Sequence, residues 1–235
     1  ANLCRLLLAA TFILSGFVKA VDPLGTQYKL HDYLEAMGMA GMVPDWATLT
    51  ASVLLAAIEF SLGIHMLFAI RRRLMTRVVL AVMVVMTLLT VWIAIANPVK
   101  DCGCFGDAIV LTNIQTLGKN IVLLVCAVVT ARWHALMPRL VSRRNQWIVR
   151  NYSALFVLAV SLISLYTLPI FDFRPYHTGA DIRQGMEIPP GAKEPEFVTT
   201  FIMQKDGQTK EFTLDNYPDS TWQFVDSKTV QTAEG

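Results

Sequence analysis

Two cysteines one residue apart, Cys102 and Cys104, are the residues of this chain best suited to carry out chemistry. They lie in the segment 97–107 (NPVKDCGCFGD), between two long apolar stretches. Neighbouring glycines would let the two thiols approach and form a disulfide, and the very short ring would be strained and therefore easily reduced. This spacing favours thiol–disulfide exchange.

Other interpretations of the pair remain open. A structural disulfide would add little stability, because a bond between residues two positions apart closes almost no loop. A zinc site would need four ligands, and no further ligands accompany the pair in the sequence. The thiols could also be idle. We therefore expect no bound metal and favour a redox pair over a structural one.

Charged residues inside apolar stretches are the next candidates, since a charge in a membrane span is costly. Glu59 lies in mid-span, where it could have a proton-linked or quinone-contacting role, or pair with Lys19, Lys119 or His65. Both lysines lie near span ends, at the expected depth of the cysteine loop, where lysines often snorkel towards water. A cation at Lys119 would stabilise a thiolate, whereas Asp101 and Asp107 would act in the opposite sense.

The elements that must position these residues are membrane helices. The chain has 235 residues, of which 54% are hydrophobic and 16% charged. These values exclude a disordered chain and a disulfide-rich secreted mini-protein. Five stretches are long and apolar enough to span a bilayer as helices, at about residues 3–21, 47–70, 76–96, 114–131 and 148–170.

The arginines predict which side each loop occupies. Residues 71–77 contain four arginines and residues 132–150 contain five, and neither loop contains an acidic residue. Basic loops remain in the cytoplasm, so we expect a cytoplasmic N-terminus, with the cysteine loop and the C-terminal tail on the periplasmic side. The arginines could bind anionic lipid, and they do not require nucleic acid as a partner.

The tail, residues 172–235, differs from the preceding 171 residues. It has eleven acidic and six basic residues, and its first part is rich in proline. Two β-prone runs, 197–204 and 209–214, flank Asp206 and Gly207, and such a dipeptide is a strong hairpin signal. With a third run at 221–230, the tail is predicted to form a small β-sheet. It could dock on the membrane domain or belong to a larger domain that continues beyond Gly235.

Several motifs resemble the DoxX-like superfamily, and most closely its MauE-type methylamine-utilisation branch. They are residues 16–23 (GFVKAVDP), Glu59, residues 102–107 (CGCFGD), and residues 111–113 (LTN) with Lys119 and Asn120. The resemblance covers about residues 3–131. An extended chain of this kind resembles proteins of Bacteroidetes-type bacteria.

The resemblance implies an all-α polytopic membrane protein: a four-helix transmembrane bundle, here with a fifth helix and a β-rich periplasmic tail. It also implies that disulfides are made or exchanged in the periplasm with a thioredoxin-like partner. Carried over by position, Cys102 and Cys104 become the redox pair, and their polar surroundings become Lys19, Asp22, Glu59 and Lys119.

The function expected from the sequence is therefore an inner-membrane thiol–disulfide redox protein, with a quinone as a possible electron carrier near Glu59. One alternative is a non-catalytic anchor or assembly subunit of a larger envelope complex. Other DoxX-like proteins resemble subunits of quinone-linked oxidoreductases, which gives a second alternative. A carrier of small solutes or lipids is a third, and it depends only on Glu59 and His65.

Overall fold

The structure of the protein is a computed structural model. It describes residues 1–39, 41–96, 103–167, 169, 171, 173, 179–181, 183, 196–205, 208–216, 218–219 and 221–233. The described chain divides into two compact units, Ala1–Thr178 and Gly179–Gly235.

The first unit is helical. Its long helices are α1 (Asn2–Val21), α3 (Asp45–Leu67), α4 (Arg72–Ala96), α5 (Asn113–Arg132) and α6 (Gln146–Tyr166). All five are long and apolar enough to cross a membrane, so the predicted set of five spans is confirmed. Leu88 and Ile95 illustrate the outer surface of the bundle, with 65% and 81% of their area exposed. Such apolar side chains suit lipid rather than water.

The predicted ends of two spans need correction. The second span was expected to reach residue 70, but α3 ends at Leu67, and Ala69 and Arg71 then adopt left-handed backbone conformations with φ of 52° and 41°. The last span was expected to reach residue 170, but α6 ends at Tyr166, and Thr167 is extended. Pro169 follows closely, as is common after a helix end.

The sequence prediction missed a helix, α2 (Pro23–Ala36), which follows α1 directly. It is too polar to resemble a span. Its start, however, has a recognisable signal: Asp22 caps the helix by accepting a hydrogen bond from the Gly25 N–H at 3.0 Å, and Pro23 occupies the first helical position.

Helix α1 is the central helix of the bundle. In its apolar segment 56% of the residues are buried, compared with 22% to 39% in the other four spans. Near its N-terminal end, Leu8 and Phe12 pack with apolar residues of α3, α4 and α5. Near its other end, Phe17 stacks on Phe156 of α6 at 6.4 Å between ring centroids.

Two glycines let α1 and α3 approach closely. A Cβ atom at Gly16 would collide with the backbone nitrogen of Phe60, and one at Gly63 would lie 2.6 Å from that of Ile13. Small residues commonly allow such close crossings of membrane helices. This crossing determines which polar side chains of the two helices can meet.

A short strand, β1 (Cys104–Asp107), lies between α4 and α5. Helix α5 begins with a capping box, in which Thr112 and Gln115 exchange side-chain and backbone hydrogen bonds. A 3-10 turn (His134–Leu136) follows α5.

The second unit contains the predicted three-stranded sheet, which is confirmed. Strands β2 (Glu196–Lys205), β3 (Gln208–Thr213) and β4 (Gln223–Ala233) form an antiparallel sheet with β2 in the centre. Lys205 pairs with Gln208, so β2 and β3 form the expected hairpin, whose connecting residues 206 and 207 lie outside the described residues. Before β4, hydrogen bonds from Thr221 lower the pKa of the Asp219 carboxyl below its ordinary value.

The glycine crossing leads to a testable prediction. Gly16→Ala should destabilise the folded protein by about 1–3 kcal/mol, because the added methyl group would collide with the α3 backbone and push the helices apart. The measurement is thermal or denaturant unfolding of the purified protein in detergent.

Gly118→Ala is the matched control. Among the described atoms, nothing lies within 4 Å of a Cβ built at Gly118 in α5. Alanine is also the better helix former by about 1 kcal/mol, so this variant should be as stable as the parent or more stable. If the two alanine variants were equally stable, the close crossing would not be needed.

Candidate functional site

The centre of the candidate site is a buried ion pair. Lys19 of α1 and Glu59 of α3 lie 2.9 Å apart, measured from Nζ to Oε2, with 4% and 5% of their side-chain areas exposed. Sequence reasoning left open whether Lys19 snorkels and which cation faces Glu59. In the structure, Lys19 is turned into the bundle and is that partner.

The ammonium group of Lys19 makes two further hydrogen bonds. It donates to Ser15 Oγ at 2.6 Å and to the backbone carbonyl of Cys104 at 2.6 Å. With the bond to Glu59, all three N–H donors of the lysine have acceptors. A buried charge with every donor satisfied can be tolerated, whereas one with free donors would be costly. The ion pair thus connects helices α1 and α3 with the cysteine loop.

Ser15 connects the same three elements, and sequence analysis missed it. Its hydroxyl oxygen lies 2.7 Å from Glu59 Oε2 and 2.6 Å from the Cys104 carbonyl oxygen. A hydroxyl has one hydrogen, so Ser15 donates to one of the two acceptors at a time. A signal was present in the sequence, because residues four apart in a helix share a face, and Ser15 precedes Lys19 by four.

The backbone of the cysteine loop has the geometry that this contact requires. Gly103 and Gly106 both adopt left-handed conformations, with φ of 60° and 54°, which favour glycine. The Gly106 N–H donates to the Gly103 carbonyl at 3.0 Å and closes a tight turn around Cys104. Cys102 lies outside the described residues, as does the side chain of Asp107.

Lys119 of α5 also reaches this loop. Its Nζ lies 4.3 Å from the centroid of the Phe105 ring, a cation–π contact. The structure therefore brings Lys19, Glu59 and Lys119 together around residues 104–105. Asp22, by contrast, caps α2, as described above.

A small cavity lies beside Glu59 and the cysteine loop. Its volume is about 40 Å³, which accommodates a few water molecules at most. It is lined by residues of α1, α3, α4, α5 and the cysteine loop, among them Ser15, Glu59, Cys104, Lys119 and Asn120.

The cavity is too small for a quinone ring. A cavity of about 150 Å³ is of the size that holds benzene, and this one is several-fold smaller, so its residues do not fit a quinone in this structure. The expected contact between a quinone and Glu59 is therefore not supported by the shape of the site. Water at this position would instead contact Glu59 and the serine hydroxyl.

A second pair of cysteines lies far from the cysteine loop. Cys4 and Cys126 interact near the opposite end of the bundle, where both belong to an apolar cluster. Within the described part of the chain, no group of three or more His, Cys, Asp or Glu side chains is placed to hold a metal ion.

Most of the helical unit matches the model of a known protein family. Residues 1–132 match the model of the methylamine utilisation protein MauE. The chain belongs to the MauE family. This match covers helices α1 to α5, including the ion pair and the cysteine loop, while residues 197–234 match a domain of unknown function, DUF8463. No curated protein and no solved structure matches the chain.

In this MauE-family protein, the ion pair should be essential for stability. Lys19→Met should cost about 3–5 kcal/mol, because it leaves the Glu59 carboxylate buried without its cation. Replacing both partners with Lys19→Met and Glu59→Leu should recover part of the loss. The free energy of unfolding in detergent measures both effects.

Lys119→Met is the control, since it removes the same charge from the same site. Lys119 is only half-buried, and a cation–π contact contributes about 0.5–2 kcal/mol, so the expected loss is smaller. Equal losses for the two lysine variants would contradict a special role for the buried pair.

Proposed function

We propose that this MauE-family protein is a membrane-bound thiol–disulfide exchanger whose working pair is Cys102 and Cys104. The observation that carries the proposal is the attachment of the Cys104 carbonyl to the buried pair of Lys19 and Glu59. In thiol–disulfide exchange, a thiolate must attack a sulfur atom from a defined direction. A loop that is held to the bundle at Cys104 suits such a reaction.

The charges around the loop support the same chemistry. Exchange proceeds through a thiolate, which nearby cations stabilise. Lys19 and Lys119 both lie near Cys104, one through its carbonyl and the other over the adjacent Phe105 ring. Glu59 compensates the charge of Lys19, whereas Lys119 places a second cation over the Phe105 ring.

The proposed exchange is a two-electron reaction between two proteins. A partner thiolate attacks one sulfur of the Cys102–Cys104 disulfide, which forms a mixed disulfide and releases the other cysteine as a thiolate. The second partner thiolate then attacks the mixed disulfide. The partner leaves with a disulfide, and the pair here is reduced to two thiols with the two protons that the partner lost. The reverse sequence reduces the partner instead.

The proposed partner is a periplasmic protein of the thioredoxin-like class, which offers two thiols at the required spacing.

The proposed location is the inner membrane of a bacterium, with the N-terminus in the cytoplasm and the cysteine loop and tail in the periplasm. This orientation depends on the arginine loops. Membership of the wider DoxX-like superfamily and a Bacteroidetes-type source belong to the same proposal, and they depend on the motifs in residues 16–23 and 102–107.

A second candidate function is a non-catalytic subunit that holds a partner through the tail. In and near its sheet, the described part of the tail exposes the apolar residues Leu214, Phe224 and Val225, with 72%, 58% and 52% of their areas accessible. Exposed apolar groups on a small sheet suit a protein contact. Loss of both loop cysteines would leave this function unchanged.

The exchange proposal makes a direct prediction about those cysteines. In cells that carry Cys102→Ser and Cys104→Ser, thioredoxin-like periplasmic proteins should shift in redox state to that of cells lacking the whole protein. The serine hydroxyl cannot form the mixed disulfide. Alkylation of free thiols followed by a mass-shift measurement reports the redox state of each protein.

The second cysteine pair supplies the matched control. Cys4→Ala and Cys126→Ala remove the same number of sulfurs from the opposite end of the bundle, and this double variant should leave periplasmic redox states as in the parent. Unchanged redox states in the serine variant, at normal protein abundance, would exclude the exchanger and favour the tail-mediated subunit.

The proposed orientation is tested separately. Alkaline phosphatase, which is active only outside the cytoplasm, should be active when fused after residue 233 and inactive when fused after Ser142. A green fluorescent protein should give the reverse pattern. The opposite result at both positions would place the cysteine loop in the reducing cytoplasm and remove the basis for a stable disulfide there.

A further inference from the structure

The arginine-rich end of the bundle contains two adjoining cavities that no function has been assigned to. The larger has a volume of about 400 Å³ and the smaller about 270 Å³. Arg71, Arg143 and Gln146 line both. They connect the turn between α3 and α4 with the turn before α6, so the cavities form one groove, here called the arginine groove.

The groove concentrates positive charge, and the segments of the chain that form it contain no acidic residue. Besides the two shared arginines, Arg150 lines the larger cavity, and Arg72 and Arg139 line the smaller. From residue 60 to residue 100, and from residue 108 to residue 171, the sequence contains no aspartate or glutamate. Its counterion must therefore come from outside these parts of the chain.

Hydrogen bonds to the turn after α5 hold the walls of the groove in place. Arg72 Nη1 donates to the carbonyls of Ala135 and Met137 at 2.9 and 2.7 Å. Arg5 of α1 is buried and donates to the Pro138 carbonyl at 3.2 Å. Because these contacts fix the turn from two helices, α4 and α1, the remaining arginines are presented on a preorganised frame.

The turn after α3 is equally well defined. Arg71 has a left-handed backbone conformation, which is uncommon for a residue other than glycine. The Ile70 N–H donates to the His65 carbonyl at 2.9 Å and the Leu74 N–H to the Arg71 carbonyl at 2.8 Å. These bonds hold the backbone of Arg71 at the mouth of both cavities.

The first turn of α6 adds donors to the same groove. Its N-cap, Asn145, makes no capping hydrogen bond with its side chain, and Gln146, Trp147 and Arg150 of this helix line the larger cavity. The free backbone N–H groups and dipole of a helix N-terminus attract anions. Together with the arginines, they favour a phosphate group, whose oxygens accept several hydrogen bonds at once.

The larger cavity is lined by both charged and apolar side chains, and this lining favours a phospholipid over a soluble phosphate as the ligand. Ile70, Met75 and the Trp147 ring line it together with the arginines. Tryptophan is typical of the membrane–water interface. A soluble phosphate would leave Met75 and the exposed Trp147 ring uncovered, whereas a phospholipid would place its glycerol and acyl groups against them.

We propose that the arginine groove is a binding site for the phosphate headgroup of an anionic phospholipid in the adjacent leaflet. Arg71 and Arg143 contact the phosphate, and Met75 and Trp147 contact the apolar part of the lipid. The site is separate from the cysteine loop, which lies at the other end of α5.

The test measures lipid binding by the purified full-length protein. The protein is reconstituted in nanodiscs of phosphatidylcholine with increasing phosphatidylglycerol, and its thermal unfolding temperature is recorded at each composition. Phosphatidylglycerol should raise the unfolding temperature saturably. In Arg71→Gln with Arg143→Gln, the apparent affinity should fall about 30-fold, as expected for two arginines beside an anionic lipid.

Arg73→Gln with Arg144→Gln is the matched control, since it removes two arginines from the same two turns. Neither Arg73 nor Arg144 is among the described residues that line the two cavities. The control variant should keep an affinity within a few-fold of the parent. Unfolding in phosphatidylcholine alone shows that each variant is folded.

Two results would overturn the proposal. Equal losses in the groove variant and the control variant would mean that the lipid responds only to overall surface charge. Stabilisation of the detergent-purified protein by inorganic phosphate or ATP, equal to that by soluble short-chain phosphatidylglycerol, would assign the groove to a soluble anion instead.

Discussion

The structure depends on one buried charge pair. Lys19 and Glu59 would each be costly alone at this depth in a membrane, so neither helix that carries them can move far from the other. The pair requires the close approach that Gly16 and Gly63 permit, and it uses its spare hydrogen-bonding capacity to hold a loop. Helix packing and the position of the cysteine loop are therefore consequences of the same contact.

The bundle has different electrostatics at its two ends. At the cysteine end, charges of both signs are buried and paired. At the arginine end, charges of one sign are mostly exposed, and long segments of the chain offer no acid to pair with them. The buried charges at the cysteine end neutralise each other and can form a rigid contact. The arginines at the other end need counterions from their surroundings. The family match includes most of both ends, but the turn before α6 lies outside it.

Most of the fold could be predicted from the sequence because apolar length is a direct physical requirement of a membrane span. The hairpin could also be predicted, because Asp206 and Gly207 separate two β-prone runs. Helix α2 was missed because it is neither apolar nor long, although Asp22 and Pro23 indicate its start. For the candidate site, sequence showed that Glu59 needed a partner but not which one, since the answer depends on how two helices are rotated. Ser15 was missed because a serine in an apolar helix often bonds only to its own backbone.

The cysteine loop is attached through the carbonyl oxygen of residue 104, an atom that every amino acid has. The anchor therefore does not depend on the side chain at that position, and a change in the sulfur, whether chemical or genetic, leaves the attachment intact. The backbone contact that positions residue 104 is thus independent of which side chain stands there. A related chain with another side chain at this position could keep the same attachment of the loop to the bundle.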